Sequence, residues 1–176
     1  SRRTAASGGA AAFRNGLTWV RIAERRHNVR STELAELQAI ELALEYAVQV
    51  IKQAKIHNEP LKVVEIFSDS QAALIQLGQG ARPSKRKGRR QEQILATKTL
   101  QVVEFKINVL QEAGVTMEFH WVPRDRFMGN ILADAGAGLA RLGIGTGFNK
   151  PDHVVIELMR KHNEEVYEMF KSERPG

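Results

Sequence analysis

The sequence contains no cysteine. That excludes a disulfide framework, a Cys-bearing zinc site and a thiol nucleophile, and makes a reducing compartment the simpler reading. No apolar run approaches the ~18–20 residues that a membrane span needs. The amino-terminal stretch Ser1-Arg2-Arg3-Thr4-Ala5-Ala6-Ser7-Gly8-Gly9 has no apolar centre of the kind a secretory signal requires. It is basic and rich in small residues, as transit peptides are, but ordered-looking sequence follows at once. These absences lead us to expect an intracellular protein, cytoplasmic or nuclear, with no membrane partner. Aspartate is also missing from the stretch before Asp69, which is the earliest in the chain.

What is present is ordinary for a globular domain: 176 residues, 43% hydrophobic and 26% charged. The net charge of +6 comes from 26 Lys+Arg against 20 Asp+Glu. Residues 82–90 hold six of those cations (Arg82, Lys85, Arg86, Lys87, Arg89 and Arg90) and no acid, so the rest of the chain is neutral. One basic tract on a neutral body argues against a histone-like protein and for a local grip on an anionic partner.

Periodicity divides the chain into alternating strands and helices. Gly9 to Phe13 and Leu17 to Ile22 flank Arg14-Asn15-Gly16 and read as a hairpin. From Thr32, Leu34, Leu37, Ile40, Leu44, Ala47, Val48 and Ile51 recur at helical spacing, with Ser31 or Thr32 as cap and Asn58-Glu59-Pro60 as stop. Leu61 to Phe67 is a buried-strand candidate, and Gln71 to Leu77 a short helix capped by Asp69 or Ser70. Gly78 to Arg90 reads as a loop carrying the basic tract. Gln91 to Ala113 is a second long helix with Gly114 as its stop, Val115 to Val122 a strand, Pro123 to Gly129 a loop and Asn130 to Leu142 a helix. Residues 143–151 read as a glycine-rich linker and 152–176 as a C-terminal helical extension, striped with Val155, Leu158, Val166 and Phe170 for packing on the domain or on a partner. The spacing of Gly143, Gly145 and Gly147 after a helix does not match a dinucleotide-binding loop. The order implies an α/β domain over residues 1–142. Trp19 and Trp121 sit inside strand patterns and read as core, and His120 as structural.

Three acids fall where an α/β sheet would place a site. Asp69 ends a strand, where open sheets bind ligands. Glu36 lies early in the first long helix on the side of Leu37, Ile40 and Leu44, and Asp134 opens the helix after His120-Trp121-Val122-Pro123. A strand-end acid also serves as a helix cap, so both readings of Asp69 stand. Clustered carboxylates repel unless a cation neutralises them, and an all-oxygen set suits Mg²⁺ or Mn²⁺.

The segments Ala35-Glu36-Leu37-Gln38-Ala39, Phe67-Ser68-Asp69-Ser70-Gln71-Ala72-Ala73 and His120-Trp121-Val122-Pro123 with Gly129-Asn130 and Ala133-Asp134, in that order, resemble ribonuclease H, most closely the retroelement-type domain. The resemblance covers roughly residues 8–142. It implies a five-stranded mixed sheet flanked by helices, cleavage of the RNA strand of RNA–DNA hybrids, and two divalent ions held by four carboxylates about 3.5–4 Å apart as ions. Glu36, Asp69 and Asp134 would ligate metal, with Glu33 the rival of Glu36 if the helix register slips one turn. The basic tract from Arg82 to Arg90 would neutralise phosphates, with Arg2, Arg3, Arg25 and Arg26 adding to it.

Two departures stand out. The family's opening strand, which supplies a fourth aspartate, has no counterpart, because Gly8-Gly9-Ala10-Ala11-Ala12-Phe13 matches the second strand. Such a fold would have an open gap beside the Leu61–Phe67 strand. Upstream residues would fill it, another segment such as Asp152 to Ile156 would, or the site is degenerate. In addition, Asp125 stands where the family has a mobile histidine, and Ile131 where a Glu is common. Asp125 can handle protons or bind metal but cannot shuttle protons near pH 7 as His does. The expected function is hybrid-specific RNA cleavage, as one domain of a longer polyprotein or multidomain chain. A catalytically degenerate module that binds nucleic acid or a protein is the alternative, and an integrase- or resolvase-like DNA nuclease a third reading.

Overall fold

The computed structural model describes residues 6–15, 18–27, 29, 31–57, 62–79, 90–144 and 146–149. Among these, two strands, β1 (Ala6–Asn15) and β2 (Thr18–His27), are followed by helix α1 (Thr32–His57), strand β3 (Val63–Ser68) and helices α2 (Gln71–Gln79) and α3 (Arg90–Glu112). Strand β4 (Thr116–Trp121), helix α4 (Met128–Arg141) and the short strand β5 (Gly147–Asn149) complete the order. The architecture is mixed α/β.

The strands form two sheets. One is antiparallel, ordered β1-β2-β5, and the other is a parallel pair, β3-β4. The hairpin is longer than its apolar alternation suggests: Ala6 pairs with His27 and Asn15 with Thr18, so Asn15 belongs to the strand. Tertiary cover extends it. Arg21, Ile22 and Ala23 are consecutive and all buried, because one face meets α1, where Ile22 packs on Leu42, and the other meets α4. There the Arg21 guanidinium donates to the Leu132 carbonyl at 3.2 Å. Close approach of α4 to β1 needs a residue without a side chain at Gly8, since a Cβ there would overlap the Ala137 carbonyl.

Helix α1 starts where its cap places it: Ser31 Oγ accepts from the Leu34 amide at 3.2 Å. Its apolar stripe forms the main core, in which Leu37, Leu44, Val103 and Leu110 are fully buried. Ile66 of β3 and Leu100 of α3 join them. Lys106 ties α3 to α1 through Glu41 and Glu45, at 3.5 and 2.9 Å. Gly114, at φ 85, ends α3 in the left-handed region that favours glycine. The β3-β4 ladder runs from Val63 opposite Thr116 to Ser68 opposite Trp121.

Several boundaries differ from the sequence reading. Gly78 and Gln79, expected in the loop, continue α2, and Arg90, expected there too, opens α3. Helix α4 begins at Met128, two residues early, which places Asp134 in its second turn instead of at its start. The glycine-rich linker contains β5, whose Gly147–Asn149 pairs with Arg21–Ala23. Trp121 is half exposed, not core. The side chain of Trp19, the basic tract from Arg82 to Arg89 and the 152–176 extension, with its Asp152–Ile156 run, lie outside the described residues.

The five described strands do not make one sheet. The far edge of β1 and the far edge of β3 both border a cavity of about 710 Å³. Gly8 to Phe13 and Val63 to Asp69 line it as consecutive residues. Side chains alternate between faces along a strand, so consecutive lining means that the strand edges, not their faces, bound the cavity.

Candidate functional site

Glu36, Asp69 and Asp134 all line this cavity. Each is delivered by a different local device. Glu36 lies near the start of α1, on the side turned toward the cavity with Ala35, Ala39 and Ile40. Asp69 follows the last residue of β3, and its backbone carbonyl accepts from the Trp121 indole N–H at 3.2 Å. Asp134 extends from the second turn of α4.

The geometry decides the two readings of Asp69. The α2 cap is Ser70, whose Oγ accepts from the Ala73 amide at 3.2 Å. The Asp69 carboxylate is therefore free of capping, and its side chain is only 3% exposed. Its Oδ2 accepts from the Arg124 Nε–H at 2.8 Å, while Arg124 itself is 70% exposed. Arg124 stands in the turn between β4 and α4, and its guanidinium is held in the charged form first by that hydrogen bond and then by the field of Asp69 and Asp134.

The acids feel one another. Burial, reinforced by the charges of Asp69 and then Asp134 and opposed by Arg124, pushes the Glu36 carboxyl up to about 7. Asp134 is also raised, by loss of water and by Asp69, with a smaller push from Asp125. Asp125 therefore sits within electrostatic reach, in an exposed turn at φ 58, a left-handed conformation that aspartate adopts more readily than most residues. Glu33 is exposed on α1 and does not line the cavity, which favours Glu36 over its rival.

An all-carboxylate donor set in which Asp69 opposes the ionisation of both Glu36 and Asp134 is chemically suited to a hard divalent cation, which would relieve the repulsion. The three do not form a closed cage. Among the described residues, the only His/Asp/Glu group with ligand atoms all within 4.8 Å of one another is Glu65, Glu118 and His120. A single ion therefore cannot meet Glu36, Asp69 and Asp134 together in this arrangement.

Two features escaped the sequence reading. Arg124 is next to Pro123, but its partner is 55 positions away, and only the fold pairs them. The second is the Glu65–Glu118–His120 group on the exposed face of the parallel pair. His120 Nε2 lies 3.1 Å from Glu118 and 3.5 Å from Glu65, and its ring stacks on Phe67. The alternation of β4 puts Glu118 and His120 on one face, whereas adding Glu65 requires the strand register. The side chain of Arg90 lies outside the described residues, like the rest of the basic tract. No helix among the described residues is long and apolar enough to cross a membrane. Compared with known proteins, the sequence matches no family model and no curated protein.

Proposed function

We propose that this chain is a metal-dependent endonuclease domain of the ribonuclease H type, cleaving the RNA strand of RNA–DNA hybrids inside the cell, in cytoplasm or nucleus. One observation carries the reading: Glu36, Asp69 and Asp134, far apart in sequence, line a single cavity, and the charge of Asp69 raises the carboxyls of both Glu36 and Asp134. The ordered motifs around the same three residues support it.

Mg²⁺ or Mn²⁺, as two ions, would supply Lewis acidity and an activated water when bound. Glu36, Asp69 and Asp134 would hold them. Their ligand atoms do not all fall within 4.8 Å of one another, which suits shared ligation by more than one ion better than a single-ion cage. Trp121 fixes the Asp69 backbone, so the carboxylate keeps its place at the strand end. Arg124 presents most of its guanidinium to solvent beside the acids and can receive a phosphate. Asp125, whose charge reaches Asp134, would handle protons or bind metal. Arg82, Lys85, Arg86, Lys87, Arg89 and Arg90 would grip the backbone without reading sequence.

A second reading, a catalytically degenerate module that binds nucleic acid or protein, is favoured by the Arg124–Asp69 contact, which already supplies a positive charge to an acid whose side chain is 3% exposed. A Mg²⁺-dependent cleavage assay on labelled hybrid separates the two. Cleavage abolished by Asp69→Asn supports the enzyme. Binding without cleavage supports the module, and equal cleavage by the mutant removes Asp69 from the mechanism.

A further inference from the structure

Parallel pairing of β3 and β4 brings together side chains that no sequence motif joins. In the ladder Glu65 is opposite Glu118 and Phe67 is opposite His120. Val64 and Ile66 of β3 and Met117 and Phe119 of β4 pack into the main core. Alternation therefore turns Glu65, Phe67, Glu118 and His120 to the other face. There the ligand atoms of Glu65, Glu118 and His120 all lie within 4.8 Å of one another, and each of the three side chains is open to solvent.

Two carboxylates facing each other across a ladder spacing of about 4.8 Å repel. His120 stands against both: its Nε2 lies 3.1 Å from Glu118 Oε2 and 3.5 Å from Glu65 Oε1. A proton on that nitrogen points in one direction and is donated well to one acceptor at a time. The other carboxylate then keeps its charge beside a like neighbour. A metal ion has no such restriction, because it accepts lone pairs from several directions at once.

The spans at Nε2 have the size that coordination requires. Two donors about 2.1 Å from one ion are about 3.0 Å apart at a right angle and about 3.4 Å apart at the tetrahedral angle. The ring is also held in place, stacked on Phe67 with centroids 5.0 Å apart and planes 23° apart. All three donors stand on paired strands, which fix a site more firmly than loops do. The donor types select the ion. An imidazole with two carboxylates suits Zn²⁺ and its first-row neighbours, whereas Mg²⁺ and Ca²⁺ favour oxygen alone.

We propose that Glu65, Glu118 and His120 form a binding site for a divalent transition-metal ion of the Zn²⁺ type. His120 Nε2, with the proton on Nδ1, and one oxygen of each glutamate are its three protein ligands. The bound ion clasps β3 to β4 and leaves its remaining position to water, since the site faces solvent. This site shares no ligand with Glu36, Asp69 and Asp134. It is independent of the nuclease reading, because ligation here needs neither those acids nor a nucleic acid.

The test is a Zn²⁺ titration of the chain followed by imidazole-nitrogen NMR, with the His120 signals assigned through His120→Gln. The expected result is a saturable shift of His120 Nε2 with a Kd of about 100 µM or tighter. Glu65→Gln and Glu118→Gln should each weaken that binding about 10–100-fold, at least the loss that an outer-shell partner causes. Asp69→Asn, which disturbs only the other acids, should leave the His120 titration unchanged. Absence of a saturable His120 shift in the wild-type chain overturns the proposal and leaves the trio a hydrogen-bonded bridge. Equal Zn²⁺ affinity in both glutamate variants overturns it as well. So does Mg²⁺ at about 10 mM if it reproduces the shift, because the imidazole would then not select the ion. None of these readouts involves cleavage, so an inactive protein leaves the test intact.

Discussion

Glu36 offers the sharpest check on the site. Its carboxyl titrates near 7 where 4.5 is ordinary, a difference of roughly 3 kcal/mol between its charged and neutral forms. The folded protein therefore holds a proton that the unfolded chain releases between about 4.5 and 7. Stability falls as pH rises through that window and levels off above it, because ionised Glu36 is costly only in the folded state. Burial is the largest cause and Asp69 the next, ahead of Asp134. Asp69→Asn should thus lower the Glu36 midpoint, Asp134→Asn should lower it less, and Arg124→Gln should raise it. Carboxyl-carbon NMR of Glu36 across pH 4–9 reads the midpoint directly, and chemical denaturation at the same pH values reads the linked stability. Glu36→Gln should flatten this part of the stability profile. A wild-type midpoint near the ordinary value, unmoved by Asp69→Asn, would refute the convergence of the three acids.

Other expectations concern packing, capping and charge. Gly8→Ala should cost about 1–3 kcal/mol by forcing α4 away from β1, visible as a lower thermal midpoint with helix content retained. Leu44→Ala, at a fully buried position, should cost about 2–5 kcal/mol in denaturant unfolding; a loss under 1 kcal/mol would mean the core is not assembled as described. Ser70→Ala should cost about 1 kcal/mol through the α2 cap, without moving the Glu36 midpoint. Replacing Lys85, Arg86 and Lys87 by Ala should weaken hybrid binding and flatten its salt dependence by up to about three counterions; an unchanged slope would remove the basic tract from the interface.

Local periodicity made most of the elements legible. Helix α1 begins and ends within a residue of its sequence signals, and Gly114 terminates α3 with the positive φ its position suggested. The chemistry at element ends was legible as well, since strand-end and helix-start positions follow from the elements themselves. That logic offered Asp69 as cap or site and left Glu33 as the rival of Glu36, and the fold chose between them. Where expectation and structure part, the cause is contact across the fold. Alternation in β2 fails at Arg21–Ala23 because helices cover both faces. Helix α4 starts early with no side-chain cap, as Met128 buries itself, and the glycine-rich linker becomes β5 because β2 offers a free edge. Trp121 is turned outward by its hydrogen bond to Asp69.

The sequence by itself determined the kinds of element, their order and the three acids that the fold would gather, because side-chain period and capping chemistry act over a few residues. Only the tertiary structure decided that Ser70 caps α2 while Asp69 goes to Arg124, and that Glu65 joins Glu118 and His120. It alone showed how the described strands divide, into β1-β2-β5 and β3-β4. Each of these depends on which distant segments share a register, and pairing of that kind is set by the burial and hydrogen bonding of the whole chain.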